Sequence, residues 1–382
     1  MKSWLVAATA AVSIGIATGA AAQSAPIRIG LSGAFTGPAA LASEWEKWGV
    51  DLAVEEINAA GGLLGRRVEI VQVDNRCNPT EGANSARKLV QERVSAIIGA
   101  HCSSATLAMM PIIHEAKIPM VTGVSSSPKI GEASGAGGNP FMFRISPDDL
   151  RMARALTEYL GKNRLFKNIA IIAEDSDFGR GGAGAFTPLA QKAGMTIVST
   201  DFAPQMTPDF TTLLTRVAQR RPDAIALFML SADQMNLTRT ALQMGLKIPY
   251  TGRAELAGKM LEIIAAGGME GSVSAWTYSP AIDNPQNKKF ADTINNRYKT
   301  QATLQSWAGY DSMRVLAQAI REAGSDEPTK IRDALAKVKF TTLHGKPTWF
   351  DANNEAGRIV VLQSVKDRKV VVLDLYELQP SN

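Results

Sequence analysis

Short, largely apolar runs alternate with amphipathic stretches from Ile27 onward, and the alternation starts afresh after Arg144. In the first pass Ile27–Ser32, Val68–Val73, Ala96–Gly99 and Pro119–Thr122 read as strands. Glu44–Asn58, Glu81–Glu92 and Ser103–Ala116 read as the helices between them, the first stopped by the Gly61-Gly62 pair. In the second pass helices over Asp148–Lys162, Gly182–Ala193, Asp209–Arg220 and Ala232–Met244 separate strands over Asn168–Ala173, Met195–Thr200 and Ala224–Phe228. Strands that are apolar on both faces must be covered on both faces, so the pattern predicts two α/β units in series, each a parallel sheet between helix layers.

The last third departs from this pattern. Helices over Asn287–Thr300, Ser306–Glu322 and Pro328–Lys337 precede the strand-like Ile359–Val365 and Lys369–Leu375, which the turn Lys366-Asp367-Arg368 makes an antiparallel pair. That pair must pack back on an earlier sheet, so the chain is expected to cross between units more than once.

At the N-terminus Lys2 precedes the apolar run Trp4 to Ala17, and Ala20-Ala21-Ala22 offers an A-x-A cleavage site before Gln23. This is the pattern of a secretory signal peptide over residues 1–22. The run is too short for a membrane span and no Cys follows the cleavage site, so a soluble exported protein without membrane insertion is expected. Roughly 360 residues remain, more than one core usually supports. The formal net charge of +5 is scattered along the chain, which argues against a nucleic-acid or membrane-surface partner. Export also bears on the two cysteines, Cys77 and Cys102, each of which follows a strand-like run. If those strands lie side by side, a bridge would close a loop of about 25 residues and add roughly 3 kcal/mol in the loop-entropy model. Two free buried thiols are the alternative.

The best site candidate is Cys102-Ser103-Ser104-Ala105-Thr106, which follows a strand and opens a helix. In an open parallel sheet ligands settle at the carboxyl ends of strands, where helix N-termini present free N–H groups and a partial positive charge. Thr122-Gly123-Val124-Ser125-Ser126-Ser127-Pro128 follows the next strand and belongs on the same rim. Either stretch alone reads more readily as an ordinary helix cap, which Ser and Thr favour. Together they suggest a site for an anion. Gly179-Arg180-Gly181-Gly182-Ala183-Gly184 fits a dinucleotide fingerprint with Asp201 at the ribose position, but Glu174–Phe178 intervenes between strand and glycines. No nucleotide or other cofactor is therefore expected. His101, His114 and His344 show neither metal-ligand nor nucleophile–base spacing, so no metal and no catalytic residue is expected. Trp45, near the start of its helix, and Phe178, in a predicted loop, are the aromatic residues best placed for a pocket wall.

Five segments, taken together, resemble one family. Gly37-Pro38, Ile57 to Gly65 (INAAGGLLG), Asp74 to Pro79 (DNRCNP), His101-Cys102-Ser103-Ser104 and Asp175 to Gly179 (DSDFG) occur in the order found in the periplasmic leucine/isoleucine/valine-binding proteins of ABC transporters. The resemblance implies a type I periplasmic binding fold: two doubly wound α/β lobes joined by three crossovers and closing on a small ligand. Lobe I would comprise residues 23–144 and 277–351, and lobe II residues 145–276 and 352–382, with crossovers near Arg144, Trp276 and Asp351. It also implies a Cys77–Cys102 disulfide, a periplasmic location, an inner-membrane ABC permease as partner, and a monomer.

Family site residues carry over unevenly. Ser103, with Ser104 beside it, the Val124 backbone and Ser126 (usually Thr in the family) correspond to donors for a ligand carboxylate, and Phe178 to a Tyr or Phe wall. The acid that receives an ammonium falls at Gly252-Arg253-Ala254-Glu255, with Glu255 the match one residue out of register. Ala42 (or Leu41) and Leu230 stand where amino-acid binders carry tyrosines, which widens the pocket, and Trp45 can fill part of that space. A branched-chain or other hydrophobic amino acid would use both the serines and Glu255. A benzoate- or cinnamate-like aromatic carboxylate would use the serines and an apolar cavity, with Arg253 in place of the acid. Amides or urea-like ligands are a third class, and delivery to a receptor is an alternative to transport.

Overall fold

The structure, a computed structural model, describes residues 25–378, so the leader read at residues 1–22 lies outside the described residues. The first sheet is parallel and contains β1 (Ile27–Gly33), β2 (Val68–Asp74), β3 (Ala96–Gly99), β4 (Met120–Thr122) and β5 (Met142–Arg144) in the order β2-β1-β3-β4-β5. The second contains β6 (Asn168–Glu174), β7 (Thr196–Ala203), β8 (Ala224–Phe228) and β9 (Tyr250–Gly252) in the order β7-β6-β8-β9, again parallel. Each sheet changes winding direction beside its first strand, between β1 and β3 and between β6 and β8. Such a switch point leaves a crevice at the carboxyl end of the sheet.

Helices α1 (Ala40–Ala59), α2 (Pro79–Gln91), α3 (Ser103–Ala116) and the short α4 (Pro128–Glu132) cover the first sheet. Helices α5 (Asp149–Asn163), α6 (Asp177–Lys192), α7 (Thr211–Gln219), α8 (Ser231–Gln243) and α9 (Met260–Ala265) belong to the second. After β10 (Val273–Trp276) the chain returns to the first sheet's core with α10 (Pro285–Tyr298), α11 (Leu304–Ala323), α12 (Pro328–Leu335) and the small pair β11 (Lys339–Thr341) and β12 (Pro347–Trp349). It finishes with β13 (Ile359–Lys366) and β14 (Lys369–Glu377), an antiparallel hairpin whose β13 also pairs with β10. The expected hairpin is present, but it builds a separate three-stranded sheet with β10 rather than extending a parallel one.

Three expectations need correction. The strands β2 and β3 are not neighbours, because β1 lies between them; the disulfide Cys77–Cys102, Cα atoms 5.3 Å apart, instead joins the loops beyond their ends. Helix α6 begins five residues before the predicted Gly182, its Ser176 side chain accepting from the Gly179 amide at 3.2 Å, so Phe178 sits in a first helical turn. Two of the glycines there serve packing: a Cβ on Gly182 would meet Phe228 at 2.4 Å, and one on Gly179 the Glu174 carbonyl at 2.1 Å. Asp201 is paired with Arg216 at 2.6 Å.

The long helices α1 and α11 cross with their backbones in contact. A Cβ on Gly49 would fall 1.9 Å from the Ser306 carbonyl, and one on Gly309 2.1 Å from that of Glu46. Among the described residues no helix is long and apolar enough to cross a membrane. Because neither backbone can yield without separating the helices, Gly49→Ala is expected to destabilise by at least the ~1–3 kcal/mol typical of overpacking. Urea denaturation checks this, and an unchanged midpoint would show that the crossing can open.

Candidate functional site

The carboxyl ends of the two sheets face each other across a cavity. One wall is made by His101 to Ser104, where β3 turns into α3, and by Val124 to Ser126 after β4. No side chain caps the first turn of α3, which leaves its amides directed at the cavity. Ser103 Oγ accepts from the Ser127 amide at 3.2 Å and keeps its proton for another acceptor. Ser125 is turned inward, donating to the Ala100 carbonyl at 2.6 Å, whereas Ser126 Oγ donates to Asp149 Oδ2 at 3.0 Å.

The opposite wall comes from strand ends of the second sheet: Glu174 and Phe178 around the start of α6, Met229 to Ser231 after β8, and Arg253 after β9, with Trp276 beside them. Arg253 Nη1 donates to Asp149 Oδ1 at 2.7 Å, both side chains being buried, and the guanidinium lies 4.5 Å above the Trp276 ring and 6.0 Å from that of Phe178. Its Nε is buried without a protein partner. Burial pushes the Asp149 carboxyl up to about 6, outweighing Arg253 and Ser126, which favour its charged form. Glu174 is buried too, and its oxygens accept from Ser176 Oγ at 2.5 Å, Gln205 Nε2 at 3.1 Å and the Leu230 amide at 2.9 Å. Burial raises its pKa in spite of those hydrogen bonds.

Of the residues singled out in the sequence, Ser103, Ser104, Val124, Ser126, Phe178, Leu230 and Arg253 line this one cavity. Ala42, Trp45 and Glu255 line a neighbouring compartment that shares Leu230 and Ser231 with it. Trp45 lies against Gly258, where an added Cβ would meet the indole at 2.8 Å. Glu255 Oε2 accepts from Ser231 Oγ at 3.1 Å, and burial pushes its carboxyl up to about 7. Sequence reasoning missed Glu174 and Met229, and assigned Trp276, an aromatic residue expected in a strand-end loop, to core packing. The strand-end rule used for the first unit, applied to the second, points to Glu174 and Met229. Asp149 gave no such signal, because it reads as part of a helix cap beside Asp148.

Two open parallel sheets, with hydroxyls and a helix N-terminus on one rim and aromatic and charged side chains on the other, define a two-lobed binding protein for a small molecule. Residues 26–369 match the family described as periplasmic binding protein, and the chain belongs to it. Over 332 residues it is 26% identical to the Leu/Ile/Val-binding protein of Escherichia coli K12, covering 87% of this chain and 88% of that one. A leucine-binding protein of Thermotoga maritima superposes with a TM-score of 0.80 at 28% identity, covering 92% of this chain and 99% of that one. A solute-binding protein of R. palustris, solved with 4-hydroxybenzoate, gives 0.82 at 25% identity over 93% and 98% of the two chains. Two of these relatives are amino-acid-binding proteins and the third is the solute-binding protein of an ABC transporter, which bears out the resemblance and the fold class read from the motifs.

Arg253 and Asp149 compensate each other's buried charge. Arg253→Met should therefore destabilise by ~3–5 kcal/mol, the usual result of leaving one partner of a buried pair uncompensated. Adding Asp149→Asn should recover part of the loss. Chemical denaturation of the single and double variants measures both, and strictly additive losses would contradict the coupling.

Proposed function

We propose that this chain is an exported, monomeric solute-binding protein that captures a small carboxylate with an apolar body, foremost a branched-chain or other hydrophobic amino acid, and delivers it to an ABC permease in the inner membrane. On this reading residues 23–144 with 277–351, and 145–276 with 352–382, are lobes that close on the ligand. The observation that carries the proposal is the meeting, in one cavity, of the uncapped start of α3 with Ser103 and an apolar wall of Phe178, Met229, Leu230 and Trp276. A carboxylate suits the first surface and an aliphatic side chain the second. The leucine-binding relatives support an amino acid as the ligand.

A second reading, an aromatic carboxylate, is favoured by one observation. Arg253 has a buried Nε without a protein partner between two aromatic rings, an arrangement that suits a planar acid, and one relative was solved with 4-hydroxybenzoate.

A thermal-shift screen of refolded protein against aliphatic and aromatic amino acids, benzoates and cinnamates separates the two readings. A ligand at about 100 times its Kd should add ~2.7 kcal/mol of stability. A response confined to acids without an amine would replace the first reading with the second, and no response to any carboxylate would refute both. For whichever ligand responds, Ser103→Ala and Ser126→Ala should each weaken binding by ~1–3 kcal/mol. Unchanged affinity in both would remove the serines from the site.

A further inference from the structure

We infer that Glu174, rather than Glu255, receives the ammonium group of an amino-acid ligand; this assignment rests on the amino-acid reading above. Glu174 borders the main cavity, whereas Glu255 borders the neighbouring compartment. The two carboxylates also differ in their company. Glu255 lies in the field of Arg253, which favours its charged form, and has Ser231 as a donor. Glu174 has only neutral donors, and among the described residues no Lys, Arg or His forms an ion pair with it. Asp233 adds a like charge nearby. A buried carboxylate in that situation is the one a ligand cation would relieve. Its oxygens retain acceptor capacity, because Oε1 already takes two hydrogen bonds but Oε2 takes only that of the Leu230 amide.

The position of Glu174 also matches a zwitterion. Gln205 Nε2 touches both Glu174 Oε1, at 3.1 Å, and Cys77 Sγ, at 3.8 Å. Cys77 is bridged to Cys102, the residue immediately before Ser103. Glu174 and Ser103 border the same cavity, so a ligand carboxylate on the Ser103 rim can have its ammonium turned to Glu174 while its side chain extends toward Phe178 and Leu230.

The test compares the tightest-binding amino acid of the screen with its deaminated acid, for L-leucine 4-methylpentanoate, by calorimetry on wild-type protein, Glu174→Gln and Glu255→Gln. The expected result is a loss of about 10- to 100-fold in Glu174→Gln for the amino acid, the range of a charge-assisted hydrogen bond. The deaminated acid should bind wild type and Glu174→Gln alike, and Glu255→Gln should keep its affinity for the amino acid. Equal losses for both ligands would mark Glu174 as merely structural, and a loss confined to Glu255→Gln would return the role to that residue. If Glu174→Gln no longer shows a cooperative unfolding transition, Glu174→Asp, which withdraws the carboxylate by one methylene, should show the same differential loss. Wild-type protein that responds only to acids without an amine would refute the amino-acid reading itself, an outcome distinct from a failure of the Glu174 assignment.

Discussion

The contact between Arg144 and Glu355 holds the two halves of the molecule in relation to each other. Arg144 ends β5, where the chain leaves the first sheet, and Glu355 lies on the later return toward the second. The guanidinium is wholly buried, with Nε 3.0 and 2.9 Å from the two Glu355 oxygens, and Arg151 at the start of α5 donates to the same carboxylate at 3.0 Å. Removing one member of such a set would leave a charge without compensation in a dry interior, so the geometry is strongly specified even where its net stabilisation is small. Arg144 Nη1 also donates to the carbonyls of Ser125 and Ser127, on either side of Ser126. The same ion pair that ties two chain passages together thereby shapes the cavity rim.

The cavity itself follows from topology. Both sheets are parallel and face each other with their carboxyl ends, so every strand-end loop bordering the crevice delivers side chains to one place. The first sheet contributes short hydroxyl side chains and a helix N-terminus. The second contributes Phe178, Leu230, Arg253 and Glu174. Asp149 joins the walls by accepting from Ser126 on one side and Arg253 on the other. The disulfide adds a covalent tie directly behind the start of α3, on the rim where an anion would rest.

Much of this was legible in the residues. The fold class, the restart after Arg144 and the final hairpin follow from hydrophobic periodicity, which reports which faces must be covered. Four of the five three-residue strands, β5, β9, β11 and β12, went unread, because so few residues display little periodicity; β4, equally short, was read within Pro119–Thr122. Ser103, Val124 and Phe178 were found by the strand-end rule and by motifs. Glu255 and Trp45 were named with them, yet they fall in the adjoining compartment. Arg253 and Glu255, two positions apart after β9, face different spaces, and local sequence does not encode that choice.

By itself the sequence determined two covered parallel sheets, the pair of hydroxyl-rich strand-end loops and the family, because each depends on local pattern or on short motifs. Only the tertiary structure decided which carboxylates meet Arg253, which acid borders the cavity, and that β1 separates the two strands leading to the cysteines. Those outcomes depend on contacts between residues as far apart in the chain as Asp149 and Arg253, or Arg144 and Glu355. Buried charge makes such contacts stringent, and pattern along the chain contains no record of them.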